Sequence, residues 1–241
     1  MCPTGMETKS LAWEYDAVQR IKVGKTRRFS KQTFEYFLVL DFEATCWDKG
    51  DYDKGSSEVI EFPCVLYDVK NNEIVDEFQQ YVMPFEKPKL SPFCTNLTGI
   101  EQHQVENGVP LKTCLMLFNK WLNKLIKEHK LSFVRQENLK YTGFCTWSDW
   151  DLGTCLFREC KRKGIYRPEH FSRWIDVRAI YKDHYARRPH GLLGALTELG
   201  LEFEGRQHCG LHDARNTARL VGRMVEDGVY FKLTKDITGK R

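Results

Sequence analysis

The sequence has no apolar run of transmembrane length and no hydrophobic signal core at its start, so neither a spanning helix nor a secretory leader is expected. Its nine cysteines (2, 46, 64, 94, 114, 145, 155, 160 and 209) never fall in a CxxC spacing. They are odd in number and scattered, and Cys64, Cys114 and Cys145 lie inside apolar runs. That usage excludes a disulfide framework and a zinc knuckle, and it fits a reduced compartment, cytoplasmic or nuclear. Strong charge of either sign is also missing. A net charge of +4 and a pI of 8.5 permit a polyanionic partner without demanding one. There are no repeats, no linker and no second composition. The 241 residues, 41% hydrophobic, therefore fit one domain with a sizeable core. The expected division is a polar, basic arm over 1–33, a domain over 34–235 and a tail over 236–241, acting as a monomer away from membranes. Lys22, Lys25, Arg27, Arg28 and Lys31 crowd the end of the arm, which reads as a solvated segment or as a contact for a phosphate backbone.

What is present centres on residues 37–46, FLVLDFEATC. An apolar run rich in β-formers reads as a strand buried on both faces. Such strands do not normally carry two carboxylates, because an unpaired buried charge is costly. Side chains alternate along a strand, so Asp41 and Glu43 share one side, roughly 7 Å apart. A divalent cation between them is the simplest account; a frayed strand end with two solvated acids is the alternative.

After a polar loop over 48–57, residues 58–67 (EVIEFPCVLY) read as a second strand, with Pro63 at a bulge or an unpaired ladder position. Asn71-Asn72 signals a hairpin, and 73–82 alternates as a third strand. Ser91-Pro92 opens a helix to about Leu97. A short helix over 101–106 follows. From Pro110, Leu111, Leu115, Phe118, Leu122, Leu125 and Ile126 recur at helical spacing as far as Lys130. Residues 141–147 read as a strand, with Ser148 capping a helix to Lys163. A short strand over 174–177, a helix to Tyr185, a helix carrying Leu192, Leu193, Leu196 and Leu199, a loop over 205–212 and a last helix from Asp213 complete the chain. A meander followed by alternating strands and helices implies an α/β fold, a mixed sheet with helices on both faces.

Three further stations could join Asp41 and Glu43. The pair Asp149 and Asp151 follows a strand end, where ligands of open α/β sheets gather. Asp213 opens the last helix, and His208 lies on the loop before it. Each has a plainer reading as a helix-start acid, a cap or a solvated histidine. Carboxylates without a soft ligand select a hard cation such as Mg²⁺ or Mn²⁺. Two ions about 3.5–4 Å apart can clamp the attacking and leaving oxygens of a phosphoryl displacement. A histidine beside them is suited to accept a proton near neutral pH.

The stretches VLDFEATCW (39–47), EVIEFPCVL (58–66), LSPFCTNLTGIEQHQV (90–105), TWSDWDLG (146–153), WIDVRAIY (174–181) and HCGLHDARNTARL (208–220) together resemble the DEDDh 3′→5′ exonucleases. The nearest branch is that of the enhanced-RNAi, histone-mRNA and Snipper-like enzymes. The resemblance implies a ribonuclease-H-like fold with a five- to six-stranded mixed sheet. It selects Asp151 over Asp149, and it implies Asp41, Glu43, Asp151 and Asp213 as ligands of two Mg²⁺ ions, with Mn²⁺ able to substitute, and His208 as base. It further implies hydrolysis from the 3′ end of RNA, DNA or both, releasing nucleoside 5′-monophosphates. A catalytically weak binding module that keeps the fold is the alternative. Leu97, Thr98 and Ile100 match the stretch that lines the terminal-nucleotide pocket, Trp150 and Leu152 flank Asp151, and Arg178 could track the backbone, as could Arg158, Lys161, Arg162 and Lys163. Relatives of this branch carry a nucleic-acid-binding domain ahead of the nuclease, and 33 residues are too few for one. The sequence departs from the family at His212, where Asp is usual. His212 could be a spectator, a competing base or a device that tunes metal affinity; the retained spacing of His208 to Asp213 favours the spectator. His208→Ala should therefore remove most turnover and His212→Ala leave the larger part, with a single-turnover assay ranking the two; the reverse ranking would transfer the base to His212.

Overall fold

The computed structural model describes residues 32–48 and 57–239, and in it the apolar run after Glu35 forms strand β1 (Tyr36–Leu40). The basic cluster of the arm and most of the loop over 48–57 lie outside the described residues. On one edge β1 pairs antiparallel with β3 (Val59–Asp68), and on the other it pairs parallel with β6 (Lys140–Thr146). It is thus the central strand that its unbroken apolar run demands. A turn through Asn72, whose φ of 58° asparagine tolerates, returns β3 into β4 (Glu73–Tyr81). The Asp68 carboxylate holds that turn by accepting the Lys70 and Asn71 N–H groups. β7 (Arg173–Asp176) runs parallel to β6. Three two-residue strands, β2 (Glu43–Ala44), β5 (Leu131–Ser132) and β8 (Lys235–Asp236), complete an eight-stranded mixed sheet. The longer strands are those expected; β5 and β8 are too short to leave an alternation in the sequence.

Alternation along the central strands sorts the core into two layers. Phe37, Val39, Val65, Tyr67, Cys145 and Ile175 face one layer. Leu38, Leu40, Phe62, Cys64, Leu66, Phe144 and Trp174 face the other. The first layer is covered by α5 (Val177–Tyr185), α6 (Gly191–Glu198) and α7 (Gly210–Glu226), the last through Ala214, Ala218 and Val221. The second is covered by α3 (Leu111–His129), whose Leu111, Leu115, Phe118, Leu122 and Leu125 are the periodic residues seen in the sequence, and by α4 (Leu156–Lys163). Helices thus lie on both faces. The short helices α1 (Pro92–Thr98) and α2 (Gln102–Glu106) sit beside the end of the sheet near Ile60, and the Ser91 hydroxyl caps α1 by accepting the Cys94 N–H. Among the described residues no helix is long and apolar enough to cross a membrane.

Three departures from the sequence expectation bear on the site. The first strand stops at Leu40 and resumes as β2, leaving Asp41 and Phe42 outside the ladder. The helix after Ser148 opens as a π-helical turn (Trp150–Cys155) before α4, and Ser148 reaches only the Trp150 N–H, at 3.3 Å. The last helix begins at Gly210 rather than Asp213, so Asp213 lies in its first turn, donating its N–H to the Cys209 carbonyl, and is not a cap.

One buried polar knot ties α4 to the sheet. Glu58 and Glu159 are almost fully buried, and the Lys163 ammonium bridges them, 2.6 Å from Glu159. Glu58 also accepts the backbone N–H groups of Phe85, Glu86 and Lys87. Burial works against ionisation of Glu58, but Lys163 and these donors win and hold its carboxyl below the usual range. Lys163 is therefore a structural residue, and Arg162 is likewise committed, to Glu86. Replacing Lys163 by Met leaves two buried acids facing each other. It should cost about 3–5 kcal/mol in urea unfolding, whereas a loss under 1 kcal/mol would mean the knot is solvated.

Candidate active site

Asp41 and Glu43 continue the alternation of β1 across the break in the strand. Phe42 and Ala44 fall in the α3 layer, so the two acids turn to the α7 side. Pro63 faces this interruption: the ladder of β3 with β1 stops at Cys64, and its ladder with β2 resumes at Glu61. A proline is tolerated where no ladder bond is required of it. With Phe42 outside the ladder, its N–H donates to Asp151 Oδ1 at 2.8 Å. That bond fastens the π-helical turn to the carboxylate strand. The rival Asp149 is spent elsewhere, accepting the Trp174 indole N–H at 3.0 Å and pairing with Lys235 at 2.8 Å.

Asp213 arrives from the opposite side, on α7. The first turn of α7 presses against the strand break, and an added Cβ at Gly210 would lie 2.6 Å from the Asp41 carbonyl oxygen. Only glycine permits that approach. The turn is held from below by Glu61, which accepts the Gly210 and Leu211 N–H groups at 2.9 and 3.3 Å and the Gln79 amide at 2.7 Å. A carboxylate at a helix N-terminus is favoured by the exposed N–H groups and the helix dipole. Glu61 is 1% exposed. It is a supporting acid that the sequence reading passed over, although an acid inside EVIEFPCVL is the same anomaly that marked Asp41 and Glu43. His208, exposed and in the left-handed region at φ 58°, donates its backbone N–H to the Asp213 carboxylate.

The four acids share one electrostatic environment. Glu43, Asp151 and Asp213 are buried and Asp41 is half-buried. Removal from water, then Asp151, Asp213, Glu43 and Glu61, push the Asp41 carboxyl well above its ordinary range. Burial followed by Asp213, Glu61 and Asp151 pushes Glu43 up to about 9. Burial raises Asp151 to about 7 against the Phe42 N–H, and Asp213 to about 7 against the His208 N–H. Protons or cations must neutralise such a cluster. One ligand atom each of Glu43, Asp213 and His208 lies within 4.8 Å of the others, so these three could hold a metal ion. The oxygen-rich donor set fits a hard divalent cation.

The residues expected to touch substrate divide. Trp150, beside Asp151 in sequence, is 41% exposed, Leu97 is half-buried, and Arg178 is half-buried with its N–H donating to the Trp147 carbonyl. Leu152 is fully buried in the α3 layer and offers no surface, a correction to its expected role. It supports the turn that carries Asp151. Thr98 and Ile100 are buried as well: the Thr98 hydroxyl donates to the Cys94 carbonyl and accepts the Ile100 N–H, shaping the turn after α1 from within. His212 is engaged in the protein: its Nδ1 accepts the Arg206 N–H at 3.0 Å.

Residues 38–221 match the family model described as Exonuclease, RNase T. The chain is 50% identical to ERI1 exoribonuclease 2 of Xenopus laevis over 96% of its own length, and spans 35% of that protein. It is 45% identical to the 3′-5′ exonuclease Snipper of Drosophila melanogaster, covering 90% of this chain and 79% of Snipper. Among solved structures, the nuclease domain of 3′hExo, a DEDDh family member bound to rAMP, is 34% identical with a TM-score of 0.73, covering 86% of this chain and 100% of that one.

The raised carboxyls fix a sign for pH dependence. Asp and Glu titrate near pH 4 in an unfolded chain, while the folded chain holds its protons up to about 7 at Asp151 and Asp213 and about 9 at Glu43. The folded state binds more protons in that window, so stability is lost as pH rises through it. The melting temperature of metal-free protein should fall by several degrees between about pH 5 and 9, and millimolar Mg²⁺ or Mn²⁺ should remove most of the fall. A flat metal-free profile would contradict the crowding of these acids.

Proposed function

Because the chain belongs to the Exonuclease (RNase T) family, with the DEDDh enzymes as its relatives, we propose that it removes nucleotides stepwise from the 3′ ends of RNA, and of DNA as well, releasing nucleoside 5′-monophosphates. The observation that carries the reading is that Glu43, Asp213 and His208 lie within metal-ligating reach of one another, with Asp41 and Asp151 close enough that their carboxyls are pushed up by the same acids. These carboxylates would hold two divalent ions, Mg²⁺ or its substitute Mn²⁺. When bound, such ions neutralise charge at the scissile phosphate and make a water acidic enough to lose its proton near neutral pH.

The chain's own groups do the rest. His208 takes the proton of the attacking water; it is exposed beside the acids, where water can reach its imidazole. Trp150 offers an exposed ring on which the terminal base stacks, worth roughly 1–3 kcal/mol and tolerant of sequence. Leu97 would line the nucleotide pocket, with Thr98 and Ile100 setting the turn behind it. Arg178 supplies a cation toward the phosphate backbone. Residues 34–235 form the catalytic unit in this reading, acting as a monomer in the cytoplasm or nucleus, where the eight described cysteines, all free thiols, would stay reduced.

The test is incubation with 5′-end-labelled RNA and DNA in Mg²⁺, Mn²⁺ or EDTA. A ladder shortening from the 3′ end, abolished by EDTA, is the expected result. Asp151→Asn should lower turnover by more than the roughly 10–100-fold cost of losing an outer-shell partner. Retarded mobility of intact RNA without shortening, with every metal, would replace the nuclease by a binding module.

A further inference from the structure

The side chain of Arg206, in the loop over 205–209 that carries His208, reaches the C-terminal end of α1. Arg206 Nη2 donates to the Asn96 carbonyl oxygen at 2.7 Å, 110 residues away in sequence. The same guanidinium lies across the bare α-carbon of Gly99, which closes α1 in the left-handed region at φ 74°. A Cβ added at Gly99 would fall 1.6 Å from Arg206 Nη1. Only glycine accepts both that φ and that neighbour. The location suits a cation, because the carbonyl groups at the end of a helix lack internal partners and carry partial negative charge. The backbone of Arg206 is bonded in turn: its N–H donates to His212 Nδ1 at 3.0 Å, in the first turn of α7. Two residues on, the His208 N–H meets the Asp213 carboxylate.

Arg206 thus stands where three pieces meet: the Leu97–Ile100 turn, the His208 loop and the α7 turn that bears Asp213. It is exposed, and an exposed polar bond of this kind adds little to global stability. We propose that Arg206 is a positioning residue for His208, locking the loop of the base to the turn that walls the terminal nucleotide, so that base and scissile phosphate are held in register as one unit. The inference rests on the reading of His208 as base. On it, His212 takes a defined part as the acceptor that anchors Arg206 from the α7 side.

Arg206→Ala in the full chain should lower the single-turnover rate on end-labelled RNA by about 10–100-fold, the usual scale for a group that orients a reacting one. Affinity for RNA, measured by anisotropy in EDTA, should change less than about threefold, and the melting temperature should stay within a few degrees. Gly99→Ala should reproduce the rate loss with the charge retained, since it displaces the guanidinium. Amide exchange over residues 206–209 in metal-free protein should quicken in both variants. In a His208→Ala background, Arg206→Ala should add almost nothing, because a strut for an absent base has no work. Multiplicative losses in the double variant, or a loss confined to affinity, would make Arg206 an independent substrate contact and overturn the proposal. Full turnover by His208→Ala alone would instead overturn the reading of the base, whatever Arg206→Ala does.

Discussion

Everything at the site depends on repulsion that the fold refuses to relieve. Asp41, Glu43, Asp151 and Asp213 are drawn out of water at one end of an apolar sheet, with Glu61 immediately behind them. Left alone, carboxylates in that position separate or take up protons. Here they cannot separate, because three pieces of backbone fix them: the strand break fixes Asp41 and Glu43, the Phe42 N–H fixes Asp151, and the Glu61-anchored turn of α7 fixes Asp213. The apolar layers on both faces of the sheet supply the rigidity that this arrangement requires.

In the proposed reading, folding and metal binding are linked. The carboxyl groups that burial and mutual repulsion push up are the ones best prepared to trade protons for cations. Glu61 belongs to the same device from behind. Its charge is satisfied by two backbone N–H groups and the Gln79 amide, so it holds α7 in place while contributing to the field that raises Glu43.

What could be read from residues alone followed from physical period. The central strands and α3 were legible because burial imposes alternation or a 3.6-residue stripe over many positions. Asp41 and Glu43 were legible because charge inside an apolar run is costly. Asp151 was separable from Asp149 only through family resemblance; the physical distinction, that Asp149 is occupied by Trp174 and Lys235, is tertiary. The start of α7 was misread because Gly210 resembles a loop residue, and because the carboxylate that anchors this helix comes from β3, 149 residues away. Leu152 was misassigned because adjacency in sequence to Asp151 says nothing of direction: on the π-helical turn Trp150 faces solvent and Leu152 the core. The strands β5 and β8 left no trace, since two residues cannot establish a period.

The break at Asp41-Phe42 has a consequence for how this chain can vary. Adding or removing one residue between Leu40 and Glu43 would invert the acids, sending Glu43 toward the α3 layer while the strand before it kept its place. Elsewhere the sheet absorbs such a slip, as the shift between Leu66 and Tyr67 opposite β4 already does. Length is therefore a discrete variable at this point, and the spacing from β1 to Glu43 is as much a part of the site as the carboxylates themselves.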